Sequence, residues 1–221
     1  SDWENYRGAY VGFVFQNYNI IDSYTVLQNV LLALEIQEYD PKKRKERALQ
    51  LIDQVGLTSH KHHRASKLSG GQKQRVVIAR ALAKDCPIIA ADEPTGNLDS
   101  ESGKQIMKLL HDVSKDKLVI LVTHDYEQAA EYATRKIKMH DGEVVEDKRI
   151  RNHEEINLDE SLEPQKMKFL TLLQIALRNL FSTPKRLIFM LFLQIIASLF
   201  LISIFTSGVA SIKETGLMQS D

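Results

Sequence analysis

The chain has 221 residues, of which 43% are apolar and 26% are charged, and its formal net charge is zero. These values exclude a disordered polymer and predict a packed core in one or two domains, and the neutral balance gives no overall sign of a nucleic-acid binder. The single cysteine, Cys86, cannot form an internal disulfide, which suits a reducing compartment. The chain opens with Ser1 in a polar, aromatic segment, which we interpret as a fragment of a longer chain.

Up to about residue 150, short apolar runs alternate with helical segments, a pattern that predicts a soluble α/β domain. Residues 10–15 predict a strand and residues 26–37 a helix. Asp40 followed by Pro41 predicts the N-cap and first position of a second helix, which ends at Gly56. The runs CPIIAAD and KLVILVTHD are apolar on both faces, as in central parallel strands. Asp141-Gly142 predicts the turn of a hairpin.

The composition changes after residue 150. The polar residues 151–166 predict a linker. Residues 167–183 carry apolar side chains at helical spacing, which predicts an amphipathic helix at a membrane surface. The run 187–205 has no charged residue and predicts a transmembrane helix over 187–210, with a buried helix of a large soluble core as the alternative. Lys185 and Arg186 precede this run, so we expect the preceding residues to be cytoplasmic and the carboxyl end to lie outside the cell membrane.

Residues 68–99, LSGGQKQRVVIARALAKDCPIIAADEPTGNLD, combine a glycine pair, a basic helix and two adjacent carboxylates. Gly70 and Gly71 let backbone N–H groups approach an anion and Ser69 adds a hydroxyl, while the following helix, predicted from about Gln72 to Lys84, directs its positive end there. A simple helix cap is the alternative. Asp92 and Glu93 end an apolar strand, an arrangement in which one carboxylate organises Mg²⁺ and the next polarises water. The stretch predicts half of a nucleotide-hydrolysing site.

These motifs resemble those of the ABC-transporter ATPases. LSGGQKQR is similar to the family signature, IIAADEP to the Walker B strand, GNLD to the D-loop and LVTHD to the switch-histidine loop. VGFVFQNYNIIDSYTVLQNV is similar to the Q-loop and the helical subdomain that follows it. The five motifs stand in family order over residues 10–147, and they are most similar to the branch for macrolide export, lipoprotein release and antimicrobial-peptide resistance, where some ATPases are fused to an FtsX-like permease.

The resemblance implies a fold and two bound species. Residues 1–150 would form the carboxyl-terminal part of an α/β, P-loop NTPase domain of the ABC type, with ATP and Mg²⁺ as its ligands. The amphipathic helix and the one transmembrane helix would be the start of a permease domain. The implied function is an ATP-hydrolysing subunit that drives transmembrane export or extraction of a substrate.

The resemblance also implies the residues of the hydrolytic step. Gln16 would contact Mg²⁺ or the attacking water and sense the permease. Asp92 would order the Mg²⁺ shell and Glu93 would be the general base. His124 would clamp the γ-phosphate and the attacking water.

A second set of residues would act across a dimer. Ser69, Gly70 and Gly71 would bind the γ-phosphate of ATP held by the opposing subunit, and Gln72 would start the supporting helix. Asp99 would help to bridge the two subunits. The implied partners are a second ATPase subunit, as in a homodimer, the permease helices and the membrane, with no nucleic acid.

The chain contains no phosphate-binding loop of the pattern G-x-x-x-x-G-K-[ST], the Walker A motif. In the nearest segment, GNLDSESGKQ, six residues separate Gly96 from Gly103, and Gln105 stands where a hydroxyl must reach Mg²⁺. Residues 100–114 instead predict a capped helix. We therefore expect the loop to lie before Ser1 in a longer protein, and the fragment alone to be inactive.

Three functions remain open from the sequence. The first is the export or extraction ATPase. The second is a non-catalytic remnant or truncated product that lacks the P-loop. The third is an ABC ATPase of DNA maintenance, against which the predicted membrane span argues. Two further segments, PKKRKER and HKHHR, are interpreted as a solvated helix face and a polar loop, and neither is given a function.

Overall fold

The computed structural model describes residues 10–152 and, beyond them, residues 173, 177, 189, 192–200 and 202. The chain divides into two compact units, Ser1–Thr171 and Leu172–Asp221. The described residues of the second unit are helical. Most of the predicted linker, amphipathic helix and transmembrane helix lies outside the described residues. Within the part of the chain that is described, no helix is long and apolar enough to cross a membrane.

Three parallel strands form the central sheet of the first unit. They are β1 (Val11–Phe15), β2 (Ile88–Asp92) and β3 (Leu118–Val122), in the order β1-β2-β3. Phe15 stands opposite Asp92, and Asp92 opposite Val122, so the three strands end level with one another. The predicted strands and the α/β class are confirmed.

Three helices lie between β1 and β2: α1 (Val26–Ile36), α2 (Arg44–Gln54) and α3 (Gly70–Leu82), with short 3₁₀ turns at Thr58–His60 and Ala65–Lys67. Helix α4 (Ser100–Val113) connects β2 to β3, and α5 (Tyr126–Ala130) follows β3. The predicted start of α2 is wrong. Asp40 Oδ1 accepts the backbone N–H of Lys42 at 2.9 Å, which closes a turn before the helix begins at Arg44. Aspartate forms such turns as readily as it caps helices. The observed end at Gln54 is close to the predicted end at Gly56, which turns the chain with a φ of 69°.

The core lies between the helices and one face of the sheet. Helix α3 packs against β1, α1 and α2, and the sheet residues Val14, Ile89 and Ala91 are buried. Fully burying a valine or isoleucine side chain contributes about 1.5–3 kcal/mol, so this layer fixes α3 firmly relative to the strand ends.

The opposite face of the sheet is open to solvent among the described residues. Phe13 and Phe15 are 41% and 42% exposed, and Leu118, Ile120 and Val122 are 46%, 47% and 57% exposed. Within residues 10–152, β3 pairs with β2 alone. The prediction that β3 is a central strand buried on both faces is therefore wrong for this part of the chain.

A separate antiparallel hairpin follows, with β4 (Arg135–His140) and β5 (Glu143–Arg149). Its turn lies at Asp141 and Gly142, whose φ angles are 48° and 83°. Two consecutive positive φ angles are the requirement of a type I′ hairpin turn. The predicted hairpin is confirmed.

Candidate functional site

Polar residues follow the level ends of all three parallel strands. Gln16 follows β1, Glu93 follows β2 and Thr123 follows β3. The crevice beyond the carboxyl ends of parallel strands is where ligands bind in open α/β sheets. The sheet therefore brings the Q-loop, Walker B and switch-histidine segments of the sequence to one edge.

Glu93 and His124 form the most direct contact at this edge. Glu93 Oε1 accepts the backbone N–H of His124 at 2.8 Å and lies 2.7 Å from His124 Nδ1. A carboxylate can only accept, so Nδ1 carries the proton. Glu93 Oε2 accepts the hydroxyl of Thr123 at 3.3 Å. The predicted base and the predicted switch histidine are thus a hydrogen-bonded pair.

The Glu93 backbone is in the left-handed region, with a φ of 44°. Such a conformation is uncommon for a non-glycine residue. The Glu93 N–H donates to the carbonyl of Val122 at 2.9 Å, which extends the β2–β3 ladder by one bond and holds the turn. The carboxylate is therefore directed towards β3 by its own backbone.

The electrostatics of the pair favour its ionised form. Burial by itself raises the pKa of Glu93, but the hydrogen bonds from the side chain and backbone of His124 outweigh it, and the pKa is lowered. The hydrogen bond to Glu93, together with its negative charge, raises the pKa of His124. The side chain of His124 is 81% exposed and that of Glu93 is 21% exposed, so the histidine can leave the pair without disturbing the core.

Gln16 contacts the D-loop. Its Nε2 donates to Asn97 Oδ1 at 3.3 Å, and a Cβ added at Gly96 would lie 2.8 Å from the same nitrogen. This bond leaves the amide oxygen of Gln16 available to a cation. Asp92, the last residue of the neighbouring strand β2, is exposed. Two oxygen donors of this kind fit Mg²⁺, which uses few protein ligands and keeps water or phosphate oxygens.

The structure places Ser69 at the N-cap of α3. Ser69 Oγ accepts the N–H of Gln72 at 3.3 Å, and Gln72 Oε1 accepts the N–H of Ser69 at 3.0 Å, which is a capping box. The helix starts at Gly70, two residues earlier than predicted, so the glycine pair belongs to its first turn. The reason is the cap itself, since both of its hydrogen bonds require helical backbone between Ser69 and Gln72.

The glycine pair also has a packing reason that the sequence did not reveal. A Cβ at Gly70 would lie 3.0 Å from the Tyr18 hydroxyl, and one at Gly71 would lie 3.1 Å from Cβ and Oγ of Ser102. Ser102 is in the first turn of α4, so the N-termini of α3 and α4 approach each other closely. A side chain at either position would force its neighbour to shift by a few tenths of an ångström, so the glycine pair allows this close approach within the chain.

Asp99 is the N-cap of α4. Its Oδ1 accepts the N–H of Ser102 at 2.9 Å, and the backbone hydrogen bond from Ser102 is the largest cause that lowers the pKa of Asp99. The predicted capped helix over residues 100–114 is confirmed. The predicted contact of Asp99 with a second subunit stays a prediction.

Several residues that contact the site were not predicted from the sequence. Thr123 and Asn97 contact Glu93 and Gln16. The fully buried Gln74 donates from α3 to the carbonyl of Phe15 at 3.4 Å and so ties the signature helix to the residue before Gln16. The motif context marks Thr123 and Asn97 as neighbours of predicted site residues, but no local pattern marks Gln74. Among the described residues, no group of three His, Cys, Asp or Glu side chains could hold a metal ion.

Comparison with known proteins gives the family. Residues 2–96 match the ABC transporter family. The chain is 46% identical over 142 residues to an uncharacterized ABC transporter ATP-binding protein of Methanocaldococcus jannaschii, covering 64% of this chain and 63% of that protein. It is 42% identical to the macrolide export ATP-binding/permease protein MacB of Bartonella henselae, covering 64% of this chain and 21% of MacB. It is 47% identical to a probable syringafactin export ATP-binding/permease protein of Pseudomonas syringae, of which it covers 22%.

Solved structures give the same result. The dimeric ATP-binding cassette MJ0796, in a post-hydrolysis state with ADP and Pi, superposes with a TM-score of 0.58 at 41% identity, covering 69% of this chain and 68% of that one. The chain spans less than two thirds of the M. jannaschii relative and about a fifth of the two export proteins. On the family match, the motifs and the cassette likeness, the chain belongs to the ABC transporter family and carries sequence of its ATP-binding domain.

Proposed function

We propose that the chain is the catalytic-motif portion of an ATP-hydrolysing subunit that drives export or extraction of a substrate across a membrane. The observation that carries this proposal is the Glu93–His124 pair at the end of β2, with both hydrogen bonds of His124 on one carboxylate oxygen. A carboxylate held ionised beside an exposed histidine is suited to accept a proton from water. Glu93 is the general base, and His124 leaves it to contact the γ-phosphate and the attacking water.

Asp92 and Gln16 hold Mg²⁺ in this proposal. The bound ion supplies charge neutralisation at the phosphates. Asp92 contributes a carboxylate oxygen and Gln16 its amide oxygen, while the bond from Gln16 to Asn97 orients the amide. The contact between Gln16 and Asn97 connects the Q-loop with the D-loop, and the Q-loop also senses the permease.

The signature segment serves the nucleotide of a second subunit. Ser69 Oγ accepts a hydrogen bond from the Gln72 N–H, so its own O–H points away from the helix and can donate to a phosphate. Backbone N–H groups at Gly70 and Gly71 lie at the positive end of α3. A homodimer is supported by the two dimeric structures of the cassette MJ0796, and we propose that its two sites are shared between the subunits. Asp99 lies at the start of the adjacent helix and helps to bridge the two subunits.

The Walker A loop is supplied by polypeptide outside these 221 residues. Two features of the sheet support this. The face that carries Phe13, Phe15 and Ile120 is open, although parallel sheets are normally covered on both faces. In addition, a cavity of about 580 Å³ is lined by apolar and basic residues of β3, β4, α4 and α5, and by His124. A strand that precedes the loop would fill this cavity and place the phosphates beside His124.

The carboxyl-terminal segment joins the ATPase to its permease. We propose an interfacial helix at 167–183, a single span at 187–210 with the carboxyl end outside, and the beginning of an FtsX-like permease. The likeness to two export ATP-binding/permease proteins supports this arrangement. The ATPase domain is then cytoplasmic and the whole protein lies in the cell membrane.

The second candidate is a non-catalytic product, and the missing G-x-x-x-x-G-K-[ST] pattern favours it. ATP hydrolysis shows whether the motifs of the chain are catalytically competent once a Walker A loop is supplied. The test protein, called the completed cassette below, is the chain with a Walker A segment from an ABC ATP-binding protein joined before Ser1. We expect it to hydrolyse ATP and to lose this activity when the loop lysine is replaced by alanine. A folded completed cassette that binds Mg-ATP without hydrolysing it would favour the non-catalytic product.

A further inference from the structure

The side-chain amide of Gln72 has a second neighbour besides Ser69. Its Nε2 lies 3.1 Å from Nε2 of His60, which belongs to the HKHHR segment. On the other side of the same imidazole, Nδ1 lies 2.9 Å from the hydroxyl of Ser59. Gln72 therefore stands between the cap of α3 and a histidine twelve residues earlier in the chain.

The donors and acceptors of this chain of contacts have one consistent assignment. The Ser69 N–H is a donor, so the Gln72 atom that faces it must be the amide oxygen. The Gln72 amide nitrogen then faces His60, and because it can only donate, His60 Nε2 must be an unprotonated acceptor. The imidazole is neutral with its proton on Nδ1, where it donates to Ser59 Oγ.

His60 is held by the turn that follows α2, and not by α3. It ends the 3₁₀ turn Thr58–His60, in which its N–H donates at 2.9 Å to the carbonyl of the fully buried Leu57. Thr58 Oγ1 donates to Asp53 Oδ1 at 2.6 Å, which ties the turn to α2. The ring also meets His63 edge to face, with centroids 5.1 Å apart. The position of the acceptor is thus set independently of the group that donates to it.

We infer that His60 is a positioning residue of the signature segment: through its unprotonated Nε2 it fixes the orientation of the Gln72 amide, and through Gln72 it fixes the cap at Ser69. If the amide turned over, Gln72 would present a donor to the Ser69 N–H, and one of the two capping hydrogen bonds would be lost. The role in nucleotide binding rests on the function proposed for Ser69, whereas the effect on the cap does not.

The test uses three variants of the 221-residue chain. His60→Leu removes the acceptor. His60→Gln restores a side-chain oxygen on the Nε2 side. His62→Leu, at an exposed position of the same segment, is the matched control. The readouts are amide hydrogen exchange at Ser69 and Gln72, and ¹⁵N NMR of the His60 imidazole at about pH 8, where an ordinary histidine is neutral.

We expect the wild-type ring to carry its proton on Nδ1. Loss of a cap costs about 1 kcal/mol, so His60→Leu should exchange the Ser69 and Gln72 amides roughly fivefold faster. His60→Gln should restore protection to within about twofold, and His62→Leu should match the wild type. A ring protonated on Nε2, wild-type exchange in His60→Leu, or equally fast exchange in His60→Gln and His60→Leu would each overturn the inference.

The nucleotide role is measured separately, as ATP occlusion by the completed cassette. If occlusion falls in His60→Leu and recovers in His60→Gln, both the positioning and the function of Ser69 are supported. If the two amides lose protection while occlusion is unchanged, His60 still positions the cap, and the function proposed for Ser69 is wrong.

Discussion

The substitution Glu93→Gln is expected to separate binding from hydrolysis. The amide oxygen of the new side chain can still accept both hydrogen bonds that His124 donates, at 2.8 Å and 2.7 Å in the wild type. Its amide group can also donate to the Thr123 hydroxyl, which lies 3.3 Å from the carboxylate. The fold and the nucleotide site should therefore remain, while the ability to accept a proton is lost.

Removing a general base costs a factor of about 10²–10⁴ in rate, which corresponds to about 3–5 kcal/mol in the activation free energy. The assay is steady-state phosphate release by the completed cassette, with Mg-ATP binding and circular dichroism measured on the same samples. Glu143→Gln, on the exposed strand β5, is the matched control and should hydrolyse ATP like the wild type. If Glu93→Gln turns over within about twofold of the wild type, while the loop-lysine variant is inactive, Glu93 is not the base.

Three further predictions concern stability and topology. Ser69→Ala should lower the free energy of unfolding by about 1 kcal/mol in urea titrations, because it removes one hydrogen bond of the capping box. Ser66→Ala is the control and should have little effect. Equal losses of stability in the two variants would contradict the role of the cap. Because the pKa of Glu93 is lowered in the folded state, Glu93 stabilises the fold above its unfolded pKa of about 4.3, and this stabilisation is lost as the pH falls through the folded pKa. Because the pKa of His124 is raised in the folded state, His124 stabilises the fold below its unfolded pKa of about 6.5, and this stabilisation is lost as the pH rises through the folded pKa. The stability difference between the wild type and Glu93→Gln should therefore be largest between about pH 4.3 and 6.5, and a difference that does not vary with pH would show that the pair is absent in solution. In the predicted topology, a cysteine introduced by Ser211→Cys should react with an impermeant thiol reagent in intact cells, and labelling only after lysis would place the carboxyl end inside.

Much of the fold follows from local sequence. The apolar runs of β1, β2 and β3, the Asp99 cap of α4 and the Asp141-Gly142 turn each contain their own signal, and the structure has these elements where they were predicted. The start of α2 was misplaced because the Asp40 side chain can either cap a helix or close a turn, and the sequence does not decide between them.

The contacts within the site could not be predicted from the sequence. The pairing of Glu93 with His124 joins residues that are 31 positions apart, and the contact of Gln16 with Asn97 spans 81 positions. Such contacts depend on how the strand ends align, which composition and spacing do not specify. The exposure of β3 is a further example, because an apolar strand has the same sequence pattern whether or not a layer covers it.

The most direct test of the account is the calorimetric titration of Mg-ATP into the 221-residue chain and into the completed cassette. The chain alone carries the residues proposed for the base, the metal and the signature, but no Walker A pattern to hold the phosphates. We predict no micromolar binding to the chain alone and micromolar binding to the completed cassette. Micromolar binding to the unmodified chain would contradict the account, because these residues would then hold the nucleotide without a Walker A loop.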